Sequence, residues 1–395
     1  MGQVSDNGAT SDSFSVTNGT KQGCVLAPLL FSIYFSMMLI VAFQDCEIGI
    51  PVQFRTDGNI FNLRRLQAKT KVHTTVIRDL LFADDCALMA HTQQDAQQLI
   101  DRFATAAHRF GLSVNLKKTE VLHQSCPISN SSNASITCSQ VPLKTVDKFC
   151  YLARNASLDS EISARLAKAS TAFGRLQQRL WKEHGIRLET KVAVYKAVVL
   201  SSLLYGCETW TLYRRQIAKL DQFHLRCLRK IAHIRWQDRV PNTEVLSKCR
   251  ITGIEAMLIQ SQLRWSGHVA RMPDHRIPKM VFFGQLADGQ RHQGAPLKRY
   301  KDSLKSHLKL CGFKPETFTS SSQNRSSWRH DCKEGIIEFE EARIAAQVEK
   351  RYHRKQAVHT TATSTNQQNV CNRCSRICGS RIGLYSHQRR CITHT

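Results

Sequence analysis

The stretch LLFADDCALMA, residues 80–90, constrains the fold more than any other. Asp84 and Asp85 are adjacent carboxylates between two short apolar runs. Each flank has the length of a buried strand of about 4–5 residues, so the pattern predicts a strand–turn–strand hairpin with both acids at its tip. Two negative charges held that close repel unless a cation sits beside them. Divalent metal at such a tip suits phosphoryl and nucleotidyl transfer, where two ions clamp the attacking and leaving oxygens. The same stretch also suits a solvated hairpin turn, in which Asp is common.

The neighbouring segments bear on that choice. Residues 16–39, VTNGTKQGCVLAPLLFSIYFSMML, begin with turn chemistry. Pro28 can start a helix, because the first helical position tolerates its missing N–H. The run that follows is apolar on nearly every side, which predicts a buried helix. Lys21, Gln22 and Gly23 feed that helix from a loop suited to close approach by a nucleotide backbone. Residues 93–112 predict an amphipathic helix, with Leu99, Phe103, Ala106 and Phe110 on one face and Gly111 at its end. GLSVNLKKTEVL, residues 111–122, alternates like a half-buried strand through Leu112, Val114 and Leu116 and presents Lys117 and Lys118. A polar loop with a small hairpin is expected over 124–142, and a short strand over 146–153.

Taken in order, these segments resemble the reverse transcriptases of non-LTR (LINE-type) retrotransposons. TKQGCVLAPLLF resembles the motif after the first catalytic segment of the palm, FADD the metal-binding hairpin, and GLSVNLKKTEVL the lysine-bearing motif after it. FCYLA resembles the primer-grip hairpin, with Ala153 where glycine is usual. RWQDRVPNTEVL (235–246) and QLRWSGHVARM (262–272) resemble the helical region that follows the polymerase in such elements. The resemblance implies an α+β fold: a partial polymerase palm of antiparallel sheet with helices, an α-helical thumb and connector, and a small ββα zinc finger.

It also implies roles. Asp84 would bind catalytic Mg²⁺ and Asp85 would support it. Lys118 would donate a proton to pyrophosphate. Lys21, Gln22 and Gly23 would shape the template and nucleotide pocket, and Phe149, Cys150, Tyr151 and Leu152 would hold the primer end. The partners would be an RNA template and a DNA primer or target, in nucleus and cytoplasm. In that family a third metal-binding aspartate lies on an earlier strand. Only MGQVSDNGATSDSFS precedes residue 16. Asp6-Asn7-Gly8 reads as a hairpin turn, and Asp12 lies in a polar stretch. Neither sits on an apolar strand leading into a helix, so a truncated palm is expected, inactive alone unless another chain complements it in trans.

Composition fits polyanion binding. The formal net charge of the 395-residue chain is +25, which favours nucleic acid. Fifteen cysteines, odd in number and scattered, many in apolar contexts, predict reduced thiols rather than a disulfide framework. The apolar run 26–43 is long enough to suggest a membrane span, but Pro28 and its serines argue for a buried helix and no membrane.

The expected organisation is a partial palm over 1–155, helical thumb and connector over 156–275, a basic helical extension over 276–355, a flexible linker over 356–370 and a finger over 371–395. Apolar positions Ile162, Leu166, Ala169, Phe173, Leu176 and Leu180 recur at helical spacing, and Arg165, Lys168, Arg175 and Arg179 form a basic face. That face suits either a solvated bundle helix or a thumb helix tracking a duplex. Further helices are expected over 187–212, ending near Gly206, and over 221–236. Trp236 and Trp265 are expected to pack into the helical core. At the C-terminus, Cys371-x2-Cys374-x12-His387-x3-Cys391 has the spacing of a finger binding Zn²⁺. Leu384 occupies the usual core position, and Cys378 replaces the usual aromatic.

Overall fold

A computed structural model describes residues 3, 5–6, 9–13, 15, 24–123, 135–146, 150–151, 154–155, 158–288, 297–365, 369–389 and 391. The chain forms two compact units. The first comprises Met1–Ala164, Gly267–Arg299 and Glu316–Gln323, and the second Arg165–Ser266, Tyr300–Pro315 and Asn324–Thr395.

The first unit mixes helices with short strand pairs. The hairpin expected near the N-terminus is present as β1 (Ser5–Asp6) and β2 (Ala9–Thr10). Helix α1 (Ala27–Ala42) has Pro28 in its first turn, as its missing N–H allows. β3 (Ile50–Phe54) pairs antiparallel with β4 (His73–Ile77). Gly49 leads into β3 with φ +152, where a Cβ would meet the Ile77 carbonyl at 2.8 Å, so only glycine fits. β5 (Asp79–Phe82) and β6 (Asp85–Leu88) follow as an antiparallel hairpin. Helix α2 (Gln93–Arg109) is capped by Thr92, whose hydroxyl accepts the Asp95 N–H at 3.1 Å. Its end falls beside Gly111, at φ +66.

Helices α1 and α2 build the core beneath the hairpin. Phe35, Met38, Leu39, Ala42, Leu99 and Ala106 are buried together, and Cys86 and Leu88 of β6 pack on them. The expectation that α1 is buried all round is corrected. Leu29, Leu30, Ile33, Met37 and Ile40 are exposed. Helix α2 covers one side only, and no described element covers the other.

The expected strand over 112–122 is shorter than its pattern. Burial still alternates through Leu112, Val114 and Leu116, but the Thr119 N–H bonds the Asn115 carbonyl at 3.0 Å and turns the chain. Only β7 (Glu120–Leu122) pairs. After β8 (Thr137–Cys138) and β9 (Val141–Pro142), its parallel partner is β10 (Lys144–Val146). The β8–β9 hairpin turns through Ser139 and Gln140, both at positive φ, as a type I′ turn requires. β11 (Cys150–Tyr151) pairs with β12 (Arg154–Asn155).

The second unit is helical. It takes up most of α3 (Leu158–Arg175). The predicted helix over 187–212 appears as α4 (Leu188–Val194), a π-helical stretch (Tyr195–Leu200) and α5 (Ser201–Leu203). Gly206, at φ +74, follows its end. Then come α6 (Arg214–Ile231), α7 (Asn242–Lys248) and α8 (Ile254–Ala270), whose C-terminal end passes into the first unit. The first unit regains α9 (Ile277–Phe283) and β13 (Gln285–Leu286), which pairs with β3. The second unit continues with α10 (Tyr300–Leu310), the first gains the short α11 (Phe318–Ser321), and the second ends with α12 (Arg325–Thr365) and α13 (Arg381–Gln388).

Trp181, Tyr195, Leu203, Leu220, Leu228, Leu263 and Trp328 fill the core of the second unit. The Trp328 indole N–H donates to the Leu263 carbonyl at 3.1 Å. Buried Glu340 accepts the Gly253 N–H at 2.7 Å and pairs with Arg343. Helix α12 also runs to Thr365, through much of the stretch expected to be a linker over 356–370. Once nucleated, a helix gains one backbone bond per residue, and polar residues such as Thr cost under about 0.7 kcal/mol each.

Candidate functional site

The ADD segment forms the predicted strand–turn–strand hairpin, but the expected burial of its flanking strands is corrected: Leu80, Leu81 and Phe82 are exposed, because only the Cys86 and Leu88 side of β6 meets the helical core. Phe82 pairs with Asp85 and Leu81 with Cys86, leaving Ala83 and Asp84 as a two-residue turn. Ala83 has φ +54, while Asp84 is not at positive φ. Positive φ is costly for alanine and is held here by the pairing on both sides. Strand alternation divides the hairpin. Leu81, Cys86 and Leu88 point one way, with Cys86 and Leu88 on the α1–α2 core. Phe82 and Asp85 share the opposite face. Both carboxylates are exposed.

Arg78 fixes the base of the hairpin. Its guanidinium lies 4.7 Å from the centre of the Phe43 ring, donates to the Phe43 carbonyl at 3.4 Å and also to the Cys46 carbonyl, and pairs with Asp79 at 3.4 Å. The Met89 N–H closes the hairpin onto the Arg78 carbonyl at 2.8 Å. Burial, with help from the Asp79 charge, pushes the Cys86 thiol up to about 12, so it stays protonated beneath the acids. The tip is thus held on a rigid base.

A two-ion site needs more than this pair. Among the described residues no third carboxylate, imidazole or thiol joins Asp84 and Asp85 in a metal-holding group. The residues present therefore do not by themselves fit the two Mg²⁺ ions of nucleotidyl transfer. Lys118 is exposed on the turn before β7, its N–H accepted by Asn115 Oδ1 at 3.3 Å. Val114 and Leu116 root that turn in a cluster with Leu88, the last residue of β6. Lys21, Gln22, Gly23, Phe149 and Leu152 lie outside the described residues. Cys150 and Tyr151 are placed by backbone on β11, opposite Asn155 and Arg154.

The C-terminal residues do converge. The ligand atoms of Cys371, Cys374, His387 and Cys391 all lie within 4.8 Å of one another. Cys374 Sγ is 3.0 Å from His387 Nε2, and the Cys371 and Cys391 sulfurs are 3.9 Å apart. A narrow turn brings Val370 against Ile377. The Cys371 N–H bonds the Arg376 carbonyl at 2.9 Å. The Ser380 hydroxyl caps α13 by accepting the Gly383 N–H at 3.1 Å. Backbone amides of Arg373 and Cys374 pull the Cys371 thiol down to about 6, which favours the thiolate a metal needs. Three sulfurs and an imidazole suit tetrahedral zinc, which in such a closed ligand set would hold the segment folded. Cys378 is not part of the group.

The basic helix face is only partly a surface. Lys168, Arg175 and Arg179 are exposed, but Arg165 is buried, its guanidinium 4.7 Å from the centre of the exposed Tyr205 ring. Arg165, Lys168, Ser201, Ser202 and Tyr205 line one open cleft. Trp265 is half-buried. The expected burial of Trp236 is overturned: the ring is 83% exposed. Helix α6 ends at Ile231, so Trp236 begins a separate 3-10 turn beyond the core-facing stripe.

Every cysteine whose side chain is described is a free thiol. No described helix is long and apolar enough to cross a membrane.

Residues 3–153 match the family model described as reverse transcriptase (RNA-dependent DNA polymerase). The chain is similar to a transposon-derived protein of Caenorhabditis elegans, with 23% identity over 269 residues, covering 65% of this chain and 96% of that protein. It is also similar to a retrovirus-related Pol polyprotein from a type-2 retrotransposable element of Drosophila melanogaster, with 24% identity over 238 residues. That match covers 56% of this chain and 20% of the polyprotein, so the chain spans one fifth of that relative. Residues 3–153 thus carry the reverse transcriptase sequence pattern, in a chain similar to a transposon-derived protein and to a retrotransposon polyprotein.

Proposed function

We propose that this chain is a segment of a non-LTR retrotransposon reverse transcriptase. Its ADD hairpin is half of a polymerase metal site, joined to a nucleic-acid-binding helical region and a zinc finger. The observation that carries this reading is a rigid hairpin presenting Asp84 and Asp85 inside the matched residues, with no third ligand among those described. Asp84 is the metal-binding acid and Asp85 its support. The third carboxylate comes from another chain that complements this one.

The exposed side of α1 and the exposed Leu80 and Phe82 support the need for a covering layer. Among the described residues hairpin β5–β6 is a two-stranded sheet, which leaves room for a further palm strand at its edge. Lys118 acts near the leaving pyrophosphate, the Lys21–Gly23 loop near template and nucleotide, and residues 149–152 at the primer end. Zn²⁺ is held by Cys371, Cys374, His387 and Cys391.

A second reading is a nucleic-acid-binding remnant without catalysis. The missing third ligand favours it for the described residues taken alone. Binding of an RNA template annealed to a DNA primer tests what the two readings share. Affinity should fall steeply with salt, by roughly 0.7–0.9 in log K per log salt for each phosphate neutralised. Salt-independent or absent binding contradicts both. Co-expression with a palm segment carrying an aspartate-bearing strand then separates them. Dideoxy-sensitive extension in the complex, lost in Asp84→Ala, supports the polymerase segment, and its absence supports the remnant.

A further inference from the structure

We propose that Trp236 is a stacking post for an unpaired base of single-stranded nucleic acid. Trp181, Trp210 and Trp328 are buried, and Trp265 is half-buried. Trp236 alone among the five tryptophans is solvent-facing. Leaving the largest apolar side chain in water forgoes the burial that the other four gain.

The ring stands on a fixed backbone. The Asp238 carboxylate accepts the Arg235 N–H at 2.7 Å, and the Asp238 N–H returns to the Arg235 carbonyl at 3.2 Å. The Arg239 N–H bonds the Trp236 carbonyl at 3.2 Å. Arg229 clamps the exit of the turn, donating to the Val240 carbonyl at 3.1 Å and to Asn242 Oδ1 at 2.6 Å. A side chain presented on such a turn loses little further freedom when it binds.

The surroundings select the ligand. Along the chain, no other large apolar side chain between Tyr213 and Ile277 is exposed. A protein-docking site places further apolar side chains around its central aromatic. In the chain Trp236 is flanked instead by the exposed Arg235 and Arg239. The one acid of the turn, Asp238, is engaged by the backbone. An exposed aromatic ring on a turn that also presents two arginines suits a base with its flanking phosphates. A base offers its face only when it is unpaired. The inference rests on the nucleic-acid-binding reading of the chain and is independent of polymerase activity.

The test measures binding of the full chain to labelled oligo(dT) and oligo(U), and to a duplex of equal length, with Trp236→Leu and Trp236→Phe. The ring lies outside the core, so thermal melting should be unchanged in both variants. Trp236→Leu should bind the single strands about tenfold more weakly, the size of one lost base–aromatic stack. Its salt slope should match the parent because no charge is removed. Trp236→Phe should keep most of the affinity, and duplex binding should not change. Single-strand affinity of Trp236→Leu within about twofold of the parent overturns the inference, because a lost stack weakens binding by more than that. It does so while leaving the broader reading intact. A parent chain that binds no oligonucleotide overturns both.

Discussion

Chelating metal from the C-terminal finger should unfold that segment and leave the helical core of the second unit in place. Apolar burial holds the finger only weakly: Ile377, Ile382 and Tyr385 are 69%, 81% and 60% exposed. Its order rests on the four converging ligands and a few backbone bonds. A metal that binds only the folded form, present at a thousand times its Kd, adds about 4 kcal/mol. That corresponds to about a thousandfold in a local opening equilibrium. Hydrogen exchange on the full chain reads it directly. The Cys371 and Ser375 amides, which bond the Arg376 and Cys371 carbonyls at 2.9 and 2.8 Å, and the Cys378 amide, which bonds Asn369 at 2.8 Å, should all exchange faster with EDTA. Cys374→Ser should reproduce the effect with metal present, and amides in α6 should not respond. Unchanged exchange in the finger after chelation would show that its fold does not depend on a metal, and the ligand assignment would fail.

Two further outcomes concern the cores. Burial holds the His224 imidazole down to about 4, against the ordinary value of 6.5. The folded chain stays neutral there where the unfolded chain takes up a proton. Stability is therefore complete above about pH 6.5 and falls as pH drops toward 4, by up to about 3 kcal/mol. Denaturation midpoints at about pH 7 and pH 5 should differ in the parent and much less in His224→Gln, and equal slopes in both would refute the assignment. Leu99→Ala, at a fully buried position beneath the hairpin, should cost about 2–5 kcal/mol in urea denaturation. A loss below about 1 kcal/mol would mean that α1 and α2 do not pack as described.

Local signals were legible where one chemistry dominates. The short apolar runs on either side of Asp84 and Asp85 specify the hairpin, and the Leu99–Phe103–Ala106 stripe specifies α2 with its Gly111 stop. The Cys–His spacing specifies the ligand cluster. What failed depended on neighbours that a local pattern does not name. The all-round apolar run of α1 calls for cover, yet among the described residues only one side has it. The alternation after Gly111 persists in burial, but the Asn115 turn removes the pairing. Arg165 looked like one more basic surface residue, yet its aliphatic stem lets it be buried beside Tyr205. Trp236 followed the usual preference of its residue type until the end of α6 left it outside the core. Sequence shows no third metal ligand in its expected context, and the described structure supplies none.

The most direct test of the central claim is Mg²⁺-dependent dNTP incorporation by this chain alone on an RNA template with a DNA primer, beside Asp84→Ala. The account predicts salt-sensitive template–primer binding by both proteins and incorporation by neither. Incorporation by the parent that Asp84→Ala abolishes would mean that this chain supplies its own third ligand, and the reading of an incomplete metal site would be wrong.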